Sequence, residues 1–208
     1  MKKTRFNNLA ISYLSAIMLI GGAFTSACNK AAPPRASADP ANSSSAQLAQ
    51  KQAPPRDQKE IDTASKVQIT KLGGGTFKLS DYRGKVLLVD FWATDCAPCV
   101  RLVPQLADLS RKYRDQGLEV IGLTSDEQEN EQQVVDFLKK RGADYTVGYD
   151  NRWLSSAFLK GTEDEVGPPI PQLFVISRDG RVVEHMIGEN PQRVKALDQI
   201  ISQELAAR

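Results

Sequence analysis

The sequence predicts an α/β fold with a mixed central sheet, helices on both faces and a β-hairpin at its N-terminal end. Two apolar runs of strand length, 85–92 and 118–124, have the uniform hydrophobicity of strands that are buried on both faces. Apolar residues at helical spacing lie between the two runs: Leu102, Val103, Leu106, Leu109 and Tyr113. Strand–helix–strand order, followed by a hairpin and a terminal helix, is typical of a mixed sheet covered on both sides.

Local patterns predict the other elements. Three consecutive glycines inside 67–79 favour a short hairpin before the first buried strand. A second helix carries Val134, Val135 and Leu138 and ends at Gly142, and a short third helix places Trp153 in the core. The turn at 178–180 predicts a second hairpin, whose edge strand carries His185 as a solvated side chain. A terminal helix follows, marked by Val194, Leu197, Ile200 and Ile201.

The chain of 208 residues divides into three parts by composition. Residues 1–27 have a basic start and a mostly apolar run from 9 to 24, the pattern of a secretory signal peptide. Residues 28–60 form a linker, in which 29–60 hold eight Ala, five Pro and four Ser and no aromatic residue, so we expect it to be disordered. Residues 61–208 are long enough for one α/β domain with a sizeable core.

Small residues lead up to Cys28, in the sequence Thr25-Ser26-Ala27-Cys28. This resembles a bacterial lipobox, in which the cysteine is lipidated and becomes the mature N-terminus, although Thr25 stands where leucine is usual. We therefore expect an exported domain that a lipid on Cys28 anchors to a bacterial membrane, in a compartment where disulfides persist. A plain signal peptide or an uncleaved anchor is the alternative.

The charge balance gives no reason to expect nucleic acid or an anionic membrane surface as an electrostatic partner. The formal net charge is +2, but Lys2, Lys3 and Arg5 all lie in the signal segment, and the remainder has 24 basic against 25 acidic residues. The mature chain is therefore near neutral. One histidine and three cysteines are too few for a His-rich metal site or a disulfide framework.

The pair Cys96-Ala97-Pro98-Cys99 stands directly after a buried strand and opens a helix. A helix start turns free N–H groups and the positive end of the helix dipole toward the first sulfur, which favours the reactive thiolate. CxxC in this setting predicts a redox pair. Half of a zinc site and a static disulfide are the alternatives, but zinc would need two more ligands, and so small a disulfide loop adds little stability.

The segment from Val89 to Cys99 resembles the active-site segment of the thioredoxin superfamily. With the hairpin and the export signal, the chain looks most like its membrane-tethered TlpA/ResA-type thiol–disulfide oxidoreductases. This resemblance covers about residues 65–205 and implies a thioredoxin-like fold. It also implies a buried acid at Asp90, which exchanges a proton with Cys99, and a helix-kinking proline at Pro104.

The same resemblance implies where a partner chain binds. Ile170-Pro171 matches the cis-proline beside the active site, and Gly188 matches a glycine that leaves room for the partner. Trp92 is expected partly in the core and partly as a floor for the site. With Ala97 and Pro98, these residues make up the predicted substrate-binding set.

Together these features predict thiol–disulfide exchange. Cys96 attacks a disulfide in a partner and Cys99 resolves the mixed disulfide, so that the Cys96–Cys99 disulfide is the redox group and no other cofactor is needed. The resemblance implies reduction of disulfides in exported proteins, with electrons supplied by a membrane thiol carrier. We expect the protein to act as a monomer.

One residue departs from the thioredoxin pattern, and two alternative functions remain. Asp95 stands where thioredoxins carry tryptophan, and its carboxylate opposes ionisation of Cys96. A peroxiredoxin-like peroxidase shares the fold, but it carries Thr three residues before its cysteine, where this chain has Ala93. A copper-binding assembly factor would use CxxxC spacing and a histidine, whereas the spacing here is CxxC and His185 has no evident route to the pair.

Overall fold

The computed structural model describes residues 57–165 and 167–207. The predicted signal peptide, the lipidation site Cys28 and most of the predicted linker lie outside these residues. In chain order, the elements are α1 (Gln58–Ala64), β1 (Ile69–Thr70), β2 (Thr76–Phe77), β3 (Val86–Trp92), α2 (Ala97–Tyr113), β4 (Leu118–Thr124), α3 (Glu131–Lys140), β5 (Thr146–Tyr149), α4 (Arg152–Phe158), β6 (Gln172–Ile176), β7 (Val182–Ile187) and α5 (Pro191–Ala206).

Five strands form a mixed sheet in the order β5-β4-β3-β6-β7. Strands β3, β4 and β5 are parallel, and β6 and β7 pair antiparallel beside them. Every residue of the central strand β3 is buried, which explains why all of them except Asp90 are apolar. The predicted mixed sheet, with its terminal hairpin and helix, is confirmed.

Side chains alternate between the two faces of β3, and each face has its own helices. Leu87, Val89 and Phe91 pack with Ile61 of α1 and with Phe158 of α4. On the opposite face, Val86 and Leu88 pack with residues of α2 and α5, among them Leu102, Leu106, Leu197 and Ile201. Asp90 and Trp92 share this second face by alternation, so they point to the side of the sheet that carries the CxxC helix.

The predicted N-terminal hairpin is present as β1 and β2, in which Ile69 pairs with Phe77. It packs closely on β5 at Gly148. A Cβ atom at Gly148 would lie 2.6 Å from Ile69 Cγ2 and 2.8 Å from Phe77 Cε1, so only glycine allows this approach.

The structure corrects three predictions and adds one strand. Residues 58–60 belong to α1 and not to the linker, because the Asp57 side chain caps the helix and Ile61 is buried below it. Strand β5 was not predicted from the sequence. Trp153 is 74% exposed and not in the core. His185 lies on the edge strand as predicted, but its ring is half-buried against Phe174.

No helix in the part of the chain that the structure describes is long and apolar enough to cross a membrane.

Candidate functional site

The two cysteines of the CxxC pair differ sharply in exposure. Cys96 is the N-cap of α2 and is half-buried, whereas Cys99 lies one turn into the helix and has no exposed surface. The two sulfurs are joined in a disulfide. Only Cys96 can therefore meet a partner's sulfur, and Cys99 is placed to act on Cys96 from inside the protein.

The start of α2 supplies a hydrogen bond to the outer sulfur. The backbone N–H of Cys99 donates to Cys96 Sγ at 3.2 Å. Pro98 occupies the first turn, where its missing N–H costs nothing. This donor and the helix dipole both stabilise negative charge on Cys96 once the disulfide is opened.

A backbone carbonyl faces the same sulfur from the other side of the site. The Ile170-Pro171 peptide bond is cis, as predicted. The Ile170 carbonyl oxygen lies 3.7 Å from Cys96 Sγ, and Ile170 itself is half-buried. The chain before β6 and the start of α2 thus form the two walls around the reactive sulfur, with Ala97 exposed at its rim.

Gly188 lies at the end of β7, close to the cis-proline. Its N–H donates to the Pro171 carbonyl oxygen at 2.8 Å, and its φ of +75° is a conformation that favours glycine. No other atom lies within 4 Å of the position that a Cβ would take, so the surface here is open. A partner-binding role for Gly188 stays a prediction that this geometry accommodates.

Asp90 is a fully buried acid in the middle of β3. It is paired with Gly122 of β4 and with Leu173 of β6, and neither carboxyl oxygen has a hydrogen-bond partner in the protein. Burial alone raises the pKa of Asp90 to about 8. The side chain is therefore mainly protonated at neutral pH and can exchange a proton near that pH.

Trp92 lies two residues further along the same face of β3. It is 1% exposed, and its ring stacks on Phe137 of α3 with centroids 5.2 Å apart. The expected core position of Trp92 is confirmed, and its indole lies in the same apolar cluster as Cys99 and Cys96. Gly122 makes this possible, since a Cβ there would lie 2.8 Å from Trp92 Nε1. A role for Trp92 as the floor of the site stays a prediction.

Asp126 is a site residue that the sequence did not suggest. It follows β4 and accepts hydrogen bonds from the Thr94 backbone N–H at 3.0 Å and from the Thr94 hydroxyl at 2.7 Å. The Thr124 hydroxyl donates to the same carboxylate. Asp126 thus holds the loop that leads from β3 into Cys96. The only sequence signal is its place after a parallel strand, at the sheet edge where Cys96 also lies.

A mixed sheet of this order, with a CxxC disulfide at the start of the helix that follows its central strand, defines a thioredoxin-like fold. The chain belongs to the Redoxin family, which matches residues 55–201.

Relatives and solved structures agree with that assignment. A thiol-disulfide oxidoreductase ResA of Bacillus cereus is 37% identical over 121 residues, which are 58% of this chain and 65% of the relative. The ResA of Geobacillus kaustophilus is 31% identical over 127 residues, which are 61% of this chain and 68% of the relative. The chain thus spans about two thirds of the length of these relatives.

Two solved structures share the fold. A thiol:disulfide interchange protein of the thioredoxin family from Chlorobium tepidum TLS has a TM-score of 0.57 at 27% identity, over 67% of this chain and 92% of that chain. Peroxiredoxin Q of Xanthomonas campestris has a TM-score of 0.59 at 17% identity, over 69% of this chain and 94% of that chain. The second likeness concerns the fold alone.

Proposed function

We propose that this protein is a thiol–disulfide oxidoreductase that reduces disulfides in partner proteins. The observation that carries the proposal is the asymmetry of the CxxC pair. Cys96 is accessible, receives an N–H from the helix start and faces the Ile170 carbonyl, while Cys99 is enclosed behind it. The similarity to the ResA proteins supports the same activity.

The reaction transfers two electrons to the partner in two exchange steps. In the reduced protein, the Cys96 thiolate attacks one sulfur of the partner disulfide, and the other sulfur leaves as a thiolate that takes up a proton. Cys99 then loses its proton to the Asp90 carboxylate and attacks Cys96 Sγ. The mixed disulfide breaks, the second partner sulfur leaves as a thiolate that takes up a proton from solvent, and the Cys96–Cys99 disulfide remains.

The buried acid gives these steps a pH dependence. Because the pKa of Asp90 is raised to about 8, its carboxylate becomes more abundant as the pH rises from 6 to 9. The step in which Cys99 loses its proton should accelerate over this range. When a donor later reduces the disulfide, the protonated Asp90 returns its proton to Cys99.

Location and electron supply belong to the proposal as well. We infer an exported domain, held at a bacterial membrane by a lipid on Cys28 and recharged by a membrane thiol carrier. The basic start, the apolar run and the small residues before Cys28 support export. Mass spectrometry of the intact protein from the membrane fraction tests the anchor, and an unmodified N-terminus at another residue would contradict it.

Trapping tests the activity itself. Cys99→Ser should accumulate mixed disulfides between Cys96 and partner proteins, visible on non-reducing gels and removed by dithiothreitol. The double variant Cys96→Ser, Cys99→Ser is the matched control and should trap nothing. If the purified, reduced parent protein reduces neither a protein disulfide nor a small aromatic disulfide, the proposed function is wrong.

A further inference from the structure

The side chain of Gln172 ties the cis-proline segment to the edge of the sheet. Gln172 is the first residue of β6, directly after Pro171, and has no exposed surface. Its amide nitrogen donates to the Pro169 carbonyl oxygen at 2.8 Å and to Thr162 Oγ1 at 2.9 Å. Its amide oxygen lies 2.7 Å from His185 Nε2 on β7.

These partners determine the direction of each hydrogen bond. The Pro169 carbonyl can only accept, so the amide group must present its nitrogen to Pro169 and its oxygen to His185. His185 therefore carries a proton on Nε2. Thr162 donates its hydroxyl to the Leu159 carbonyl oxygen, which leaves Thr162 Oγ1 free to accept from Gln172.

The result is a continuous chain of hydrogen bonds that starts at β7 and ends just after α4. The ring of His185 is held in place by Phe174, whose ring is stacked on it with centroids 4.1 Å apart and planes 11° apart. Thr162 is buried, like Gln172, so water competes little for these bonds. The chain immobilises the backbone on the N-terminal side of Ile170, whose carbonyl faces Cys96.

We propose that Gln172 and His185 are positioning residues for partner recognition: they hold the Pro169–Pro171 backbone in the geometry that receives the partner's extended chain. This inference rests on the proposed function and adds the side chains that prepare its docking segment. Neither residue touches the reacting sulfurs. The neutral tautomer that these hydrogen bonds assign and the imidazolium both carry a proton on Nε2, so either form of His185 can donate to Gln172.

The size of the substrate separates this role from a general effect on stability. A protein disulfide uses the docking backbone, whereas a small aromatic disulfide needs only the exposed sulfur of Cys96. Gln172→Glu keeps the shape of the side chain but removes both donors and turns a carboxylate toward the Pro169 carbonyl. We expect KM for the protein disulfide to rise about tenfold, with kcat/KM for the small disulfide changed less than about twofold.

His185→Phe preserves stacking on Phe174 but removes the donor to Gln172. It should raise KM for the protein disulfide about threefold, again without an effect on the small substrate. Ser177→Ala is the matched control, because it removes a buried hydroxyl at the opposite end of β6 and should leave both substrates unchanged. Both activities are measured on the same preparation, so their ratio does not depend on the fraction of the protein that is folded.

NMR of the histidine ring nitrogens in the parent provides a second test, which needs no variant. Protonation of Nε2 is expected in the neutral form, and an Nδ1-protonated ring would overturn the hydrogen-bond chain. An unchanged ratio of protein to small-disulfide activity in Gln172→Glu would overturn the positioning role. Both results leave the proposed function standing as long as the parent reduces disulfides.

Discussion

Asp126 accepts both the backbone N–H and the hydroxyl of Thr94, although the two residues lie 32 positions apart in the sequence. Thr94 is two residues before Cys96, in the loop that carries the chain from β3 into α2. The carboxylate therefore fastens this loop to the end of β4, in addition to the turn in which the Cys96 N–H donates to the Ala93 carbonyl oxygen. The end of β4 thus contributes to the position of Cys96 at the N-cap of α2.

Asp126→Asn should lower kcat/KM for disulfide reduction about tenfold, because a hydrogen bond to a carboxylate contributes roughly 1.5–3 kcal/mol. Loss of the negative charge alone would favour the Cys96 thiolate and act in the opposite direction. Steady-state kinetics with Asp108→Asn as control, an exposed carboxylate of α2, checks this. Equal rates for the two variants would show that Asp126 does not position the loop.

Asp90→Asn should change how stability depends on pH. Burial raises the pKa of Asp90 from 3.8 to about 8, so the folded state binds one more proton than the unfolded chain between these values. The contribution of Asp90 to the free energy of unfolding is largest below pH 3.8 and falls as the pH rises toward 8, by up to about 1.4 kcal/mol per pH unit.

Urea unfolding of the oxidised protein at pH 5, 7 and 9 measures this dependence. Asp90→Asn should gain stability relative to the parent as the pH rises, and the exposed-residue control Glu129→Gln should follow the parent. A constant difference between Asp90→Asn and the parent across the range would mean that Asp90 does not titrate there.

The elements that the sequence predicts well are those whose signal is local. Strand β3 is apolar at every position except Asp90, and the CxxC pair follows a few residues after it. Strand β5 has only four residues with Gly148 among them, and it is a strand because β4 pairs with it. Helix α1 buries only Ile61 and Ala64 of its seven residues, too few for a visible period.

At the site too, the sequence predicts residues that local patterns mark and misses contacts between distant segments. The buried acid could be placed from its spacing to Cys96, and the cis-proline from the apolar strand that follows it, because the resemblance supplies both patterns. The Asp126–Thr94 and Gln172–His185 contacts join residues from different strands and loops, and no pattern along the chain announces them. The predicted core position of Trp153 is wrong. A large aromatic residue on a short helix favours a core position but does not require one.

Asp95→Asn should increase the share of Cys96 that is thiolate at a given pH. Asp95 is exposed and directly precedes Cys96, so its charge opposes ionisation through solvent. The alkylation rate of the reduced protein near pH 7 should rise about two- to threefold at low salt, and the gain should shrink at about 0.5 M salt. Asp115→Asn changes net charge equally, but beyond the far end of α2, and should have no effect. A gain independent of salt would rule out a through-solvent effect of charge.

Gly122→Ala tests the close packing behind the buried acid. The added Cβ would lie 2.8 Å from Trp92 Nε1 and 3.3 Å from both Tyr145 Cε2 and Val147 Cγ2. These neighbours are two aromatic rings and a branched side chain, packed in or against the core, so they cannot yield freely. We expect a loss of about 1–3 kcal/mol in the free energy of unfolding.

A double-mutant cycle that combines Gly122→Ala with Trp92→Phe tests whether Trp92 is the neighbour that requires glycine. The smaller ring removes the indole nitrogen, which is buried without a hydrogen-bond partner in the protein, and makes room for the new methyl group. Gly122→Ala should therefore destabilise the Trp92→Phe background by about 1 kcal/mol less than it destabilises the parent. If the two losses simply add in urea unfolding, Trp92 is not the neighbour that requires glycine. The loss would then be assigned to Tyr145 and Val147, whose Cε2 and Cγ2 atoms are the next nearest to the new methyl group.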